Sequence, residues 1–172
     1  DGRNCLLRNG VTSDGKAVLD VFNRTHEETD YLLTYSDENC FTASQEADFL
    51  QRKTDSTNTV EIIAIVDGVV AGTAGIDALG MRDKIKHRAV FGIAITKEFW
   101  GLGIGKYLME ACIECAREAG YLQLELEVVA ENERAVEMYR RAGFIEYGRN
   151  PKAFRLRTGE YQELIDMRLE LK

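Results

Sequence analysis

The chain has 172 residues and a formal net charge of −7, enough length for one domain, 1–172, with a substantial core. That acidity argues against a general nucleic-acid binder, and the apolar runs are strand-length, which argues against a membrane protein. No basic stretch followed by an apolar segment opens the chain, so a cytoplasmic location is the default expectation, and Cys5, Cys40, Cys112 and Cys115 form no disulfide framework.

In chain order, residues 3–8 are predicted to form a first strand. Thr12, Ser13 and Asp14 are N-cap candidates for a helix over about 16–26, whose Val18, Leu19, Val21 and Phe22 follow an i, i+3, i+4 spacing. The segment from Glu27 to Glu38 is acidic and aromatic, and reads as loop and short helix. Ser44 is the candidate cap of a second helix over about 44–53. Two β-rich runs, 60–66 and 69–76, flank Asp67-Gly68, a hairpin signal. Gly72 and Gly75 mark a bulge or a close backbone approach in the second run. A charged loop over 82–88 then leads to a central strand over 90–96.

After that strand comes a turn with glycine at alternate positions, Gly101-Leu102-Gly103-Ile104-Gly105-Lys106, and then a helix over about 104–119. Its apolar residues 104, 107, 108, 111, 112, 115, 116 and 119 form one stripe. This stripe takes Cys112 and Cys115 into the core and away from redox or zinc chemistry. A helix start of this kind presents unpaired backbone N–H groups, and glycines let an anion approach them, so a phosphate-bearing cofactor suits the turn. A Walker loop is excluded because Trp100 fills its first glycine position and Tyr107 follows Lys106; a dinucleotide fingerprint fails because Lys106 replaces its last glycine. A strand follows over about 122–129, and a strand–helix–strand unit in one sheet implies a parallel pair. Asn132 caps a short helix over 133–142 that Gly143 ends. Segments 144–148 and 162–170 are predicted as a last pair of strands, with a connection over 149–160 that holds the only proline.

Gly103-Ile104-Gly105 resembles the pyrophosphate loop of the GCN5-related N-acetyltransferases, whose usual pattern is Arg/Gln-x-x-Gly-x-Gly/Ala. Trp100 departs from that pattern at its first position. Downstream, Asn132-x-x-Ala135-x-x-x-Tyr139-x-x-x-Gly143-Phe144 resembles the second motif of the same family at the separation expected. The likeness covers about 60–171. It implies an α/β fold with a mixed, mostly antiparallel sheet of the acyl-coenzyme A N-acyltransferase type, a splayed parallel central strand pair and about four helices.

The likeness also implies an enzyme that moves an acetyl group from acetyl-CoA to a primary amine in a ternary complex, with no metal. Backbone amides from Leu102, Gly103, Ile104, Gly105 and Lys106 would hold the pyrophosphate, and Ile93, Ala94 and Ile95 would pair with the pantetheine arm. Asn132 would steady the cofactor. The oxyanion would meet a backbone N–H near Ala94. Tyr139 would protonate the departing thiolate, although periodicity by itself would place it in the core. Glu127 and Glu125, on the polar face of their strand, are candidate bases for the ammonium of the acceptor; Asp77 is a weaker one. The acidic segment 27–38 suggests a cationic small-molecule acceptor, with a protein amine and a homodimer left open. A catalytically silent acyl-CoA sensor is the alternative.

Overall fold

The structure, a computed structural model, describes residues 2–171. Seven strands form one sheet: β1 Cys5–Asn9, β2 Val60–Val66, β3 Val69–Ala78, β4 Arg88–Ile95, β5 Gln123–Val129, β6 Ile145–Arg155 and β7 Tyr161–Glu170, in the order β1-β2-β3-β4-β5-β7-β6. Four helices accompany it: α1 Gly15–Glu28, α2 Ala43–Asp55, α3 Ile104–Glu118 and α4 Glu133–Arg141. Every neighbouring pair is antiparallel except β4 and β5, the strands that α3 connects. The sheet is thus mixed and mostly antiparallel, as expected.

Alternation along the strands separates two cores. Ile62, Ala64, Ile76, Phe91, Leu124, Leu126 and Met167 point to the face covered by α3 and α4, where they meet Leu108, Cys112, Val136 and Tyr139. On the other face Ile63 packs with Val18 of α1 and Leu50 of α2. Cys112 is fully buried in the first core, as the helical stripe required.

Local chemistry sets several boundaries differently from expectation. Asp14 stands at the N-cap position of α1, but its carboxylate makes no capping bond: it accepts from the Val11 N–H at 2.8 Å and from the Arg8 guanidinium at 2.6 and 2.9 Å. The Arg8 hydrogen bonds hold the Asp14 carboxyl below its ordinary range. The cap of α2 is Thr42 rather than Ser44, in a reciprocal box: Gln45 N–H donates to Thr42 Oγ1 at 3.2 Å and Thr42 N–H to Gln45 Oε1 at 2.8 Å. The β2–β3 turn is the one foreseen, with Asp67 at φ 48° and Gly68 at φ 86°, a pair of left-handed residues that matches strand twist. Arg88, expected in a loop, opens β4 instead. The expected connection over 149–160 is strand as far as Arg155; register shifts at Glu146/Gly148 and Asn150/Phe154 bend β6. Pro151 sits in the second of these on an edge strand, where a missing N–H is tolerated.

Gly75 is a close-approach glycine. A Cβ there would lie 2.2 Å from Glu61 Oε2, so the absent side chain makes room for a carboxylate beneath α2. Glu61 has the buried Glu46 and Lys53 nearby, and Lys53 Nζ pairs with Asp77 at 2.6 Å and donates to the Ile76 carbonyl at 3.0 Å. Burial pushes the Glu61 carboxyl up to about 7, against the pull of the Lys53 ammonium. The folded chain therefore keeps a proton that the unfolded chain releases near the ordinary value of 4.5. The stability this contributes is complete below that value and is lost as pH rises through about 7. Glu61→Gln should raise the Tm at about pH 8 more than at about pH 5; melting curves that shift equally at both would exclude Glu61 as the source.

Candidate active site

Pairing between β4 and β5 covers only Arg88↔Gln123, Ala89↔Leu124 and Val90↔Glu125. Beyond Val90 the two strands part, although β4 stays paired with β3 as far as Ile95. The direction of the freed groups follows from the bonds at each end. The Arg88 carbonyl accepts from Leu79 N–H at 3.0 Å and Thr96 N–H donates to the Ala71 carbonyl at 3.0 Å. Even-numbered residues of β4 therefore face β3. Odd-numbered residues face β5, as the His87 carbonyl does when it accepts from Leu122 N–H at 2.9 Å. Ile93 consequently offers both backbone groups to the gap, and Ile95 offers its N–H. The Ile95 carbonyl is occupied: Trp100 Nε1 donates to it at 2.7 Å. Ala94, expected to meet the cofactor and the oxyanion, turns its amide toward β3 instead.

At the end of β4 the glycine turn enters α3. Gly101 and Gly103 are left-handed, at φ 84° and 79°, and Gly103 is the N-cap. The first amides to bond back are those of Lys106 and Tyr107, which both donate to the Gly103 carbonyl, at 3.1 and 3.5 Å. Among the described residues no carbonyl receives the N–H groups of Leu102, Gly103, Ile104 and Gly105. Four donors at the positive end of a helix are thus open to an anion. Gly105 has a packing reason as well, since a Cβ there would meet Met138 Sδ of α4 at 3.1 Å. Trp100 carries Arg134 over its ring at 5.4 Å and Lys97 at 5.8 Å. Lys106 is mostly exposed, 3.7 Å from Glu110 Oε1.

On the α3/α4 face, Tyr139 stands where the strands part. Its ring meets Phe91, the first β4 residue beyond the paired segment, edge-on at 6.2 Å, and Phe144 at 5.8 Å. Only 6 % of Tyr139 is exposed, and burial raises its phenol well above the ordinary value. Its hydroxyl makes no hydrogen bond to the described residues, yet it is not among the sealed, unpartnered polar atoms. Asn132 accepts from Ala135 N–H at 3.4 Å and so caps α4, which leaves its amide NH₂ group free.

The opposite face carries the carboxylates. Glu125 is buried and held by Arg88, with Nη2 2.8 Å from Oε2, and this bidentate pair removes it as a ready base. Glu127 is exposed, without an ion-pair partner among the described residues, and lies across from Asp166 in register. Asp77 is taken by Lys53. Tyr147, which the sequence reading passed over, senses Glu125, Asp166 and Glu127; burial, then these charges, raises its phenol. It sits at a bulge in β6, a placement that period-two patterning does not anticipate. Among the described residues no group of three or more His, Cys, Asp or Glu side chains is arranged to hold a metal ion, and no helix is long and apolar enough to cross a membrane.

The acetyltransferase (GNAT) family model matches residues 18–144. An L-amino acid N-acetyltransferase of Escherichia coli (strain K12) is 32 % identical over 118 residues, spanning 68 % of this chain and 72 % of that one. The crystal structure of a GNAT-family acetyltransferase from Streptococcus pneumoniae superposes with a TM-score of 0.92 at 27 % identity, covering 97 % of this chain and 99 % of the other. A Salmonella typhimurium protein solved with its cofactor acetyl-CoA shares the fold, with a TM-score of 0.87 at 17 % identity over 98 % and 95 % of the two chains. With the parted strands, the open helix start and the family match in agreement, this chain belongs to the acetyltransferase (GNAT) family and is an acetyl-CoA-dependent N-acetyltransferase.

Proposed function

We propose that the protein acetylates a primary amine of a small molecule or peptide by direct attack in a ternary complex. The observation that carries this reading is the early end of β4–β5 pairing beside four open amides. The pantetheine arm would lie in the gap as a substitute strand, bonded to Ile93 and to the Ile95 N–H. The pyrophosphate would rest on the amides of residues 102–105, with Lys106 and the free amide of Asn132 close to the cofactor.

In the reaction the neutral amine nitrogen bonds to the thioester carbon, the carbonyl oxygen takes up negative charge, and collapse breaks the C–S bond. A strand N–H that faces the gap, Ile93 or Ile95, meets the oxyanion. The proton that the ammonium loses before attack goes to Glu127 or to a water beside it, and the departing thiolate takes one from Tyr139. A buried phenol stays protonated at neutral pH, which suits a donor. Acid and base then stand on opposite faces of the parted strands, so one serves the sulfur while the other serves the nitrogen.

Tyr139→Phe should lower turnover by about 10²-fold or more. Acetyl-CoA affinity and Tm should hold, because the lost hydroxyl has no hydrogen-bond partner among the described residues; unchanged turnover would remove Tyr139 from the acid role. Glu127→Gln should lower kcat/KM about ten-fold or more at neutral pH without altering cofactor affinity, as steady-state kinetics beside calorimetry would show. At Gly103 a Cβ has room, with Tyr107 Cε2 at 3.9 Å, but the left-handed backbone does not suit a side chain. Gly103→Val should therefore cost about 1–2 kcal/mol or more of stability and weaken acetyl-CoA binding in a calorimetric titration. Wild-type affinity in that variant would place the pyrophosphate elsewhere, and acetyl-CoA binding without turnover on any amine would replace the enzyme reading with that of a sensor.

A further inference from the structure

The strand order divides the sheet into two halves. β1, β2, β3 and β4 are joined by antiparallel pairs, and α3 packs on β2, β3 and β4. In the second half β5 is paired with β7 along its whole length, from Gln123 to Val129, and β7 with β6. Among the described residues, the strand pairing that crosses between the halves is confined to Arg88↔Gln123, Ala89↔Leu124 and Val90↔Glu125. The groups named for the reaction fall on both sides of this seam. Ile93, Ile95 and the amides of residues 102–105 belong to the first half; Glu127 on β5 and Tyr139 on α4 belong to the second. The angle at which the halves meet therefore sets the distance from a bound thioester to its acid and base.

An ion pair lies across the seam. Arg88, in the first rung, reaches diagonally to Glu125, in the last, and grips its carboxylate with Nε and with Nη2, the latter at 2.8 Å. Glu125 is 7 % exposed, and among the described residues Arg88 alone hydrogen-bonds its carboxylate. Arg168, across from Glu125 in register, is turned to the Tyr147 ring at 5.6 Å and to Glu170 at 3.3 Å. A forked guanidinium–carboxylate pair is directional, since both bonds keep their length at one separation and tilt only. Withdrawal from water makes the loss of either partner costly. On the other face of the seam the Tyr139 ring stands edge-on to Phe91, just past the last rung. Apolar contact of that kind resists approach but is not directional. A wedge on one face and a clasp on the other together fix the angle.

We propose that Arg88 and Glu125 are a positioning pair for acetyl transfer, holding the two half-sheets at the angle that brings Tyr139 and Glu127 to the thioester. The pair supplies neither a proton nor a cofactor contact. The proposal rests on the acetyl-transfer reading above.

The test compares wild type with Glu125→Gln, Arg88→Gln, the double variant and Arg88→Lys. Turnover is read as free thiol released from acetyl-CoA with L-methionine, glycylglycine and spermidine as acceptors, and cofactor affinity by calorimetry. Each Gln variant should lower kcat about ten-fold or more and leave acetyl-CoA affinity nearly unchanged, because the groups that grip the cofactor's pyrophosphate and arm lie within one half. The double variant should lose no more than the worse single variant, and Arg88→Lys should retain part of the rate. Unchanged kcat, losses that multiply in the double variant, or a loss of affinity equal to the loss of kcat overturns the proposal. Amide exchange followed by NMR supplies a readout free of activity. The Ala89 N–H, turned to β5, should exchange faster in Glu125→Gln, while the Val90 N–H of the same strand, turned to β3, keeps its rate. Equal change at both amides marks a merely structural pair and overturns the proposal. Where a Gln variant does not fold, Arg88→Lys carries the same contrasts. If the wild type binds no acetyl-CoA or acetylates none of the three amines, the parent reading is what fails, and the exchange contrast still decides the clasp: faster exchange at Ala89 alone supports it, and equal rates overturn it.

Discussion

Three paired residues between β4 and β5, and then separation, is the constraint on which the rest of the site depends. A backbone group withdrawn from water without a partner costs free energy comparable to a lost hydrogen bond. A sheet that opens in its middle, between strands with neighbours on their other edges, must therefore be propped apart and its exposed edge met by something. The props are visible. The Tyr139 ring stands against Phe91 where the strands separate, and Met138 of α4 reaches Gly105 of α3 at the end of β4. The edge groups of Ile93 and the Ile95 N–H are what a strand-like ligand can satisfy.

Trp100 shows how the surroundings compensate for a departure from the family pattern. It stands where an arginine or glutamine is usual, so the turn lacks a polar side chain at its first position. The indole instead donates to the Ile95 carbonyl and ties the turn to the strand, while its ring carries Arg134 and Lys97. A cation held over an indole gains from the ring quadrupole. Positive charge thus stands beside the four open amides although the chain as a whole is acidic.

That overall acidity says little about the acceptor. Asp14 serves Arg8, Glu98 and Glu28 serve Arg24, Asp37 serves Arg157, and Glu125 serves Arg88. The exposed pairs among them, Arg24–Glu98 and Asp37–Arg157, contribute little to stability, so they position segments more than they stabilise the fold. Where they join distant parts, as Asp37 and Arg157 do, they decide which walls face one another. A carboxylate so engaged offers nothing to a cationic substrate.

The elements with strong local signals were legible in the sequence. The Asp67-Gly68 hairpin, the stripe of α3 with its glycine entrance, and the Asn132 cap of α4 each depend on residues within a few positions, where hydrophobic period and allowed backbone angles are decisive. The two motifs were likewise enough to point to the family and its parallel central pair. Residues whose role depends on partners far along the chain were not legible. Asp14 serves Arg8 rather than a helix, Glu125 is neutralised by a residue on another strand, and Ala94 has its amide on the covered edge because of a register set by β3. Asp37 meets Arg157, 120 positions away, and no local pattern encodes such a meeting. Sequence determined which elements form and what family they belong to; tertiary structure decided which of their polar groups remain available, because availability depends on what each group has already bonded.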